Sequence, residues 1–173
     1  MNARARGSGA SLLIGVLSDT HGRLDSAIVD VFAGVDHIIH AGDVGDREIL
    51  ETLAVLAPVT AVRGNCDEDG WDDLPEAVTA AFGDLTLHVR HDLAMVELLD
   101  APVLAAMQRE ARGVIIFGHS HVPVTGRHDG VLYLNPGSAS LPHYDVPRSV
   151  ALLRIEGTSC TAEIHVLGSD PLL

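Results

Sequence analysis

The sequence predicts a mixed α/β domain, and three observations carry that prediction. Apolar runs of strand length alternate with helical stripes through the first third of the chain. A two-residue hairpin signal and further strand-like runs fill most of the rest. Aromatic residues supply only 3% of the 173 positions against an apolar share of 47%, so the core must be built from Val, Leu, Ile and Ala. That is the composition of buried strands covered by helices.

Residues 11–18 (SLLIGVLS) form the first apolar run, and Leu24, Ile28, Val31 and Phe32 mark a helix over 23–33. Residues 36–41 (DHIIHA) are a second strand, followed by a helix over 46–56 that carries Ile49, Leu50, Leu53 and Leu56. Val59 to Val62 is the third strand. Strand, helix, strand, helix, strand with short connections predicts a parallel sheet. Val78–Phe82 and Leu85–Val89 flank Gly83-Asp84 as a hairpin. A helix is expected over 98–111 and a buried strand over 114–117. Residues 131–134, 149–155 and 161–167 are expected to form an antiparallel set. With no repeat, linker or low-complexity stretch, the expected organisation is a flexible leader over 1–10 and one domain over 11–173.

The formal charge of −13 repels a phosphate backbone, which argues against a long nucleic-acid groove but not against a small phosphate ester held by cations. Cys66 and Cys160 are read as reduced thiols. The apolar run after Arg4 and Arg6 is too short to span a membrane and has no small-residue cleavage site after it. A cytoplasmic protein without a membrane partner is therefore expected, with self-association left open.

The chemistry lies where the strands stop. Asp19 and His21 follow the first strand, Asp43 the second and Asn65 the third; His91 follows the hairpin, and His119 and His121 follow the later buried strand. A sheet brings its strand ends together, and ligands of open α/β sheets sit at that edge. Oxygen and imidazole donors in this mix suit Mn²⁺, Fe²⁺, Zn²⁺ and similar ions rather than a structural cysteine site. Each motif alone is weak, since a strand-end histidine is more often structural; in this order, coincidence is a poor explanation. A metallo-β-lactamase site would place Asp and His directly after the His119–His121 pair, where Pro123 and Val124 stand. An amidohydrolase would have His-x-His after the first strand, and a dinucleotide fold would have a Gly-x-Gly-x-x-Gly there.

The stretches Ser18-Asp19-Thr20-His21, Gly42-Asp43, Gly64-Asn65-Cys66-Asp67, Gly118-His119-Ser120-His121 and Asn135-Pro136-Gly137-Ser138 resemble the calcineurin-like metallophosphoesterases, above all their YfcE-like phosphodiesterase branch. The resemblance implies two mixed β-sheets packed as a sandwich and flanked by helices, in a four-layer α/β/β/α order. It also implies that Asp19, His21, Asp43 and His121 hold one metal and that Asp43, Asn65, His91 and His119 hold a second, with Asp43 bridging. Two divalent ions, Mn²⁺ first and Ni²⁺, Fe²⁺, Zn²⁺ or Mg²⁺ as alternatives, would then hydrolyse a small phosphodiester through a shared hydroxide that Asp43, Asn65 and His91 help to hold. The branch also resembles a scaffold subunit of the retromer coat, so a weak or inactive metal-binding scaffold is the alternative.

Two positions depart from that pattern. Cys66 stands where many members carry a histidine that protonates the leaving group; it is expected to be packed, and to be a poor donor. Asp92 replaces a glycine after His91 and is expected either to take a positive φ or to accept from a ligand imidazole. Among the remaining candidates, His40 is read as structural, with support of the site as the alternative, and Asp67 as orienting the Asn65 loop rather than binding metal. Residues 68–73 are expected to form a solvated acidic loop, with Trp71 as part of a cleft wall the alternative. His143 is read as having no role in the site, with reach to a substrate phosphate the less favoured alternative. His37, His88, His128 and His165 have no partner that the sequence identifies.

Overall fold

The computed structural model describes residues 11–67 and 70–170. The leader expected over 1–10 lies outside the described residues. The elements in chain order are β1 (Leu12–Leu17), α1 (Ala27–Val31), β2 (His37–His40), α2 (Arg47–Leu56), β3 (Val59–Ala61), β4 (Ala77–Phe82), β5 (Leu85–Arg90), α3 (Leu93–Leu99), α4 (Ala101–Glu110), β6 (Val114–Ile116), β7 (Val124–His128), β8 (Val131–Asn135), β9 (Arg148–Glu156) and β10 (Ser159–Gly168).

They make two mixed five-stranded sheets, ordered β10-β9-β1-β2-β3 and β4-β5-β6-β8-β7. The run β1-β2-β3 is parallel, as the alternation of strands and helices predicts. The expected antiparallel set is divided between the sheets. β9 extends the first sheet antiparallel to β1 and β10 pairs antiparallel to β9 at its edge, whereas β8 lies in the second, parallel to β6 and antiparallel to β7.

Period-two alternation explains the layers. Ile14 and Val16 of β1, Leu85, Leu87 and Val89 of β5, and Leu153 and Ile155 of β9 point between the sheets and form one core. On the outer face of the first sheet, Leu17, Ile38 and Val150 meet Ile28 of α1, Phe32 at its C-cap, and Ile49 and Leu53 of α2. On the outer face of the second, Ile115, Phe117 and Val131 meet Val96 of α3 and Met107 of α4. The order is therefore helices, sheet, sheet, helices. Among the described residues no helix is long and apolar enough to cross a membrane.

Local chemistry moved several boundaries. The first helix is short because Asp25 Oδ1 accepts the Ala27 N–H (2.9 Å) and its Oδ2 accepts from Arg148 Nη1 (2.7 Å), an alternative to helical bonding before residue 27. α2 starts after Asp46, whose carboxylate accepts the Glu48 N–H, as an N-cap should. The helix expected over 98–111 is α4, which starts at Ala101; α3 over Leu93–Leu99 is not among the expected elements. The two are separated at Asp100, where Pro102 in the first turn of α4 cannot donate the N–H that would continue α3. Trp71 is buried beneath the Arg47 guanidinium, 4.6 Å from the ring centroid, so it is a core residue and not a cleft wall.

Candidate metal centre

Five strand ends converge on one edge of the sandwich. The Asp19 N–H donates to the Gly42 carbonyl and the His21 N–H to that of Asp43 (3.0 Å each), which locks the β1 loop to the β2 loop; the Gly118 N–H donates to the His91 carbonyl at 2.8 Å, joining the β5 and β6 ends. Among the described residues, eight other than glycine take a positive φ, and Asp19, His21, Asp43, His119 and His121 are five of them. Backbone held in that region costs about 1–3 kcal/mol per residue and persists where surrounding structure imposes it, commonly at functional sites. The strain here aims side chains.

Around Asp19, the Oδ1 atom lies 3.2 Å from His121 Nε2 and 3.9 Å from both His21 Nε2 and His91 Nε2. His21 Nε2 and His121 Nε2 approach to 3.3 Å. Asp43 Oδ2 faces the same space from the other side, 3.4 Å from His91 Nε2 and 3.9 Å from His21 Nε2. Asn65 Oδ1 then stands 3.1 Å from His91 Nε2 and 2.9 Å from His119 Nδ1. All seven residues singled out by sequence are thus brought into one chain of donor atoms. The potential ligand atoms of Asp19, His21 and His121, and those of Asp19, Asp43 and His91, each lie within 4.8 Å of one another.

The donor set fits a cation. Asp19 Oδ1 is buried and accepts no hydrogen bond, although three imidazole nitrogens surround it. An unpaired buried carboxylate oxygen is costly, and a divalent ion among those nitrogens would offset the cost. His91 is already oriented as a ligand, because its Nδ1 donates to the Ala41 carbonyl at 2.7 Å and so turns Nε2 inward as the lone-pair nitrogen. Burial opposes charge on Asp43, but the His91 ring and the Cys66 N–H (2.8 Å) hold its carboxyl far below the usual range. Burial likewise opposes protonation of His91, and the Asp43 and Asp19 carboxylates outweigh it and raise its pKa.

A polar frame supports these residues. Asp67, itself buried, accepts the N–H groups of Val44 (3.0 Å), Gly45 (2.9 Å) and Gly64 (2.9 Å), tying the Asp43 loop to the Asn65 loop. At Gly64 any side chain would collide with the Asp43 carboxylate, and at Gly42, with φ +97°, a Cβ would stand 2.7 Å from His91 Nδ1. The buried His40 ring accepts the Gly42 N–H at Nδ1 and donates from Nε2 to Thr20 Oγ1 (2.9 Å), which donates to the Val44 carbonyl. Burial pushes His40 down to about 4. Ser138 and Ser140 hydroxyls both donate to the Asp19 carbonyl, at 3.0 and 2.9 Å. Their place in or just beyond Asn135-Pro-Gly-Ser138 was the available signal, but not what they would hold.

Several expectations change. Cys66 is exposed rather than packed, and its sulfur lies within 4.8 Å of potential ligand atoms of His21 and Asp43. Partial burial of the thiol, then Asp43, pushes it up to about 11. Asp92 has φ −105° and accepts the Ala94 N–H as the α3 N-cap, so it neither needs left-handed backbone nor meets an imidazole. His143 is exposed on the rim, its ring centroid 6.2 Å from that of His121. His88 does have partners, Thr79 Oγ1 at 2.8 Å and Asp100 Oδ2 at 3.0 Å, and His37 meets Thr60 Oγ1 at 2.8 Å. His128 lies 3.3 Å from Asp129, and His165 Nε2 is buried without a hydrogen bond. A larger, more open depression against α4 is lined by Ala105, Gln108, Arg109, Ala111 and Asp129 and gathers no comparable donor set.

Comparison with known proteins agrees with the geometry. Residues 12–158 match the calcineurin-like phosphoesterase superfamily domain. The chain is 38% identical over 154 residues to a probable metallophosphoesterase of Methanocaldococcus jannaschii, covering 86% of this chain and 78% of that one. It is 31% identical over 156 residues to the phosphodiesterase YfcE of Escherichia coli K12, covering 79% and 84%. Among solved structures, a predicted phosphoesterase of Streptococcus pneumoniae superposes with a TM-score of 0.71 at 26% identity, over 95% of this chain and 93% of that one. Vps29 of Chaetomium thermophilum superposes at 0.73 with 21% identity, over 92% and 87%, a likeness of fold alone. The chain belongs to the calcineurin-like phosphoesterase superfamily.

Proposed function

We propose that this calcineurin-like phosphoesterase hydrolyses a small phosphodiester with two divalent ions, Mn²⁺ foremost. The observation that carries the reading is the orphaned Asp19 Oδ1 set among three imidazole nitrogens, on backbone strained at five of the seven convergent residues. Asp19, His21, His121 and Asp43 would hold one ion; Asp43, Asn65, His91 and His119 would hold the other. Bound there, the ions supply a water nucleophile at neutral pH and positive charge against the phosphoryl oxygens.

The chain's own residues determine spacing, charge and substrate. Asp43, facing both groups of imidazoles, fixes the spacing between them. Asn65 adds an oxygen without adding charge, which keeps carboxylates from accumulating at the half-site where an anionic ester must enter. Ala41 holds the His91 tautomer. Cys66, with its thiol near 11 and a weak S–H donor, offers little help to a departing alkoxide. Esters whose leaving group needs little protonation are therefore the best substrates. The overall charge of −13 favours a small ester over a nucleic-acid strand.

The test is to strip the protein of metal and assay a nitrophenyl phosphodiester and a nitrophenyl monoester with Mn²⁺, Ni²⁺, Fe²⁺, Mg²⁺ and Zn²⁺ supplied in turn. Restored turnover that is faster on the diester supports the reading. Faster monoester cleavage overturns the diester preference. Two bound ions with no turnover would replace the enzyme with a metal-binding scaffold of the same fold.

A further inference from the structure

A cavity of about 330 Å³ opens beside the Asn65 half of the site, lined by Arg63, Asn65, Glu76, Arg90, Met95 and His119 among others. Topology places its charges. Arg63 directly precedes Gly64-Asn65, Arg90 ends β5 directly before His91, and Glu76 precedes Ala77, which pairs with Arg90 across the hairpin. Glu76 Oε1 accepts from Arg63 Nη2 at 2.7 Å, and its Oε2 lies 3.5 Å from Arg90 Nη1. Asp100 holds Arg90 from behind through Nε and, at 3.3 Å, Nη2, and Asp72 lies 3.7 Å from Arg63. Two guanidinium groups thus meet three carboxylates, so no positive charge is left unmatched. Partly exposed Met95 adds an apolar wall.

We propose that Glu76 is a specificity-determining residue: the cavity takes the uncharged organic arm of a phosphate ester and turns away esters whose arm bears a second negative charge. An anionic arm would have to displace Glu76 from both arginines or sit beside its carboxylate, whereas a flat uncharged arm can lie on the guanidinium and thioether surfaces. The inference rests on the phosphoesterase reading for what occupies the adjoining half-site, but it does not require turnover. Glu76 is more than half exposed, so its charge can be removed without disturbing the core.

The experiment measures binding of phenylphosphonate and 4-carboxyphenylphosphonate to the Mn²⁺-loaded protein by calorimetry, for wild type, Glu76→Gln and Arg63→Gln. Wild type should prefer the uncharged probe by roughly tenfold, of the order expected for one like charge at a partly solvated site. Glu76→Gln should shrink that preference about tenfold, and Arg63→Gln should widen it. Equal binding of the two probes by wild type, or a preference unmoved by both substitutions, overturns the proposal. If neither probe binds the loaded wild type, the cavity does not receive the arm of a phosphoryl group held at the Asn65 half and the inference falls, while the phosphoesterase reading is decided separately by the nitrophenyl assay. A preserved preference without any turnover in the nitrophenyl assay removes the enzyme and leaves the cavity's selectivity standing.

Discussion

The half of the site around Asp19 and the half around Asn65 share strand-end geometry and differ in charge, exposure and backbone. The first is faced by two carboxylates, Asp19 and Asp43, both buried, and its four residues all take a positive φ. The second shares Asp43 but otherwise offers an amide oxygen and two imidazoles; Asn65 and His119 are exposed, and of the residues it does not share only His119 has a positive φ. Its rigidity comes instead from hydrogen bonds, the Ala41 carbonyl on His91 and the three N–H groups gathered by Asp67. On the proposed two-ion reading, strain and charge suit the first half to the more tightly held ion. On the same reading the second half, more open and beside the cavity, would receive the substrate and an exchangeable ion.

The strongest way to break that comparison is at the shared residue. Asp43→Asn should remove both ions and lower kcat/KM on the order of 10³-fold, read by metal analysis and turnover together. Retained occupancy would show that Asp43 does not bridge the halves. Next come the unshared oxygens. Asp19→Asn should abolish binding of the tighter ion, whereas Asn65→Ala should weaken only the second ion, roughly 10- to 100-fold, in a Mn²⁺ titration. Indistinguishable titrations for the two variants would erase the distinction.

A smaller effect tests the frame. Asp67→Asn presents an amide where three N–H groups converge and should lower stability by about 1–3 kcal/mol while loosening the second ion. A melt unchanged from wild type would mean that those bonds hold nothing. Smallest is a pH effect at His40. Its ring titrates near 4 when folded against 6.5 when unfolded, so the unfolded chain takes up the proton first. That stability is complete above about pH 6.5 and is lost as pH falls toward 4. Thermal melts of metal-free protein should therefore fall across that window, and His40→Gln should flatten the fall; parallel slopes would contradict the assignment.

Much of this architecture was legible because strand ends in parallel αβ units advertise themselves. Asp19, Asp43 and Asn65 each follow a short apolar run and sit beside a glycine or turn, and the topology alone brings them to one edge. What sequence did not reveal depended on distant partners. Asp67 reaches N–H groups more than twenty residues away, and Trp71 is buried in a core cluster with residues distant in sequence, Arg47 lying over its ring. Assignment of β8 to the second sheet is decided by its backbone pairing with the edge of β6, since an apolar strand carries no mark of its neighbour. β7 is exposed along its whole length and shows no alternation, so its one local signal was the Asp129-Gly130 pair, both at positive φ, that turns it into β8. The glycine expected after His91 misdirected the reading of Asp92, because a helix N-cap satisfies that position with ordinary extended backbone.

The most direct test of a two-ion phosphodiesterase is a single titration. Mn²⁺ is added to metal-free wild-type protein while bound ions are counted and nitrophenyl phosphodiester cleavage is followed in the same samples. The expected result is two ions per chain, with little turnover after the first equivalent and full turnover after the second. Full activity in the presence of chelator, or a plateau with one ion bound, would contradict it.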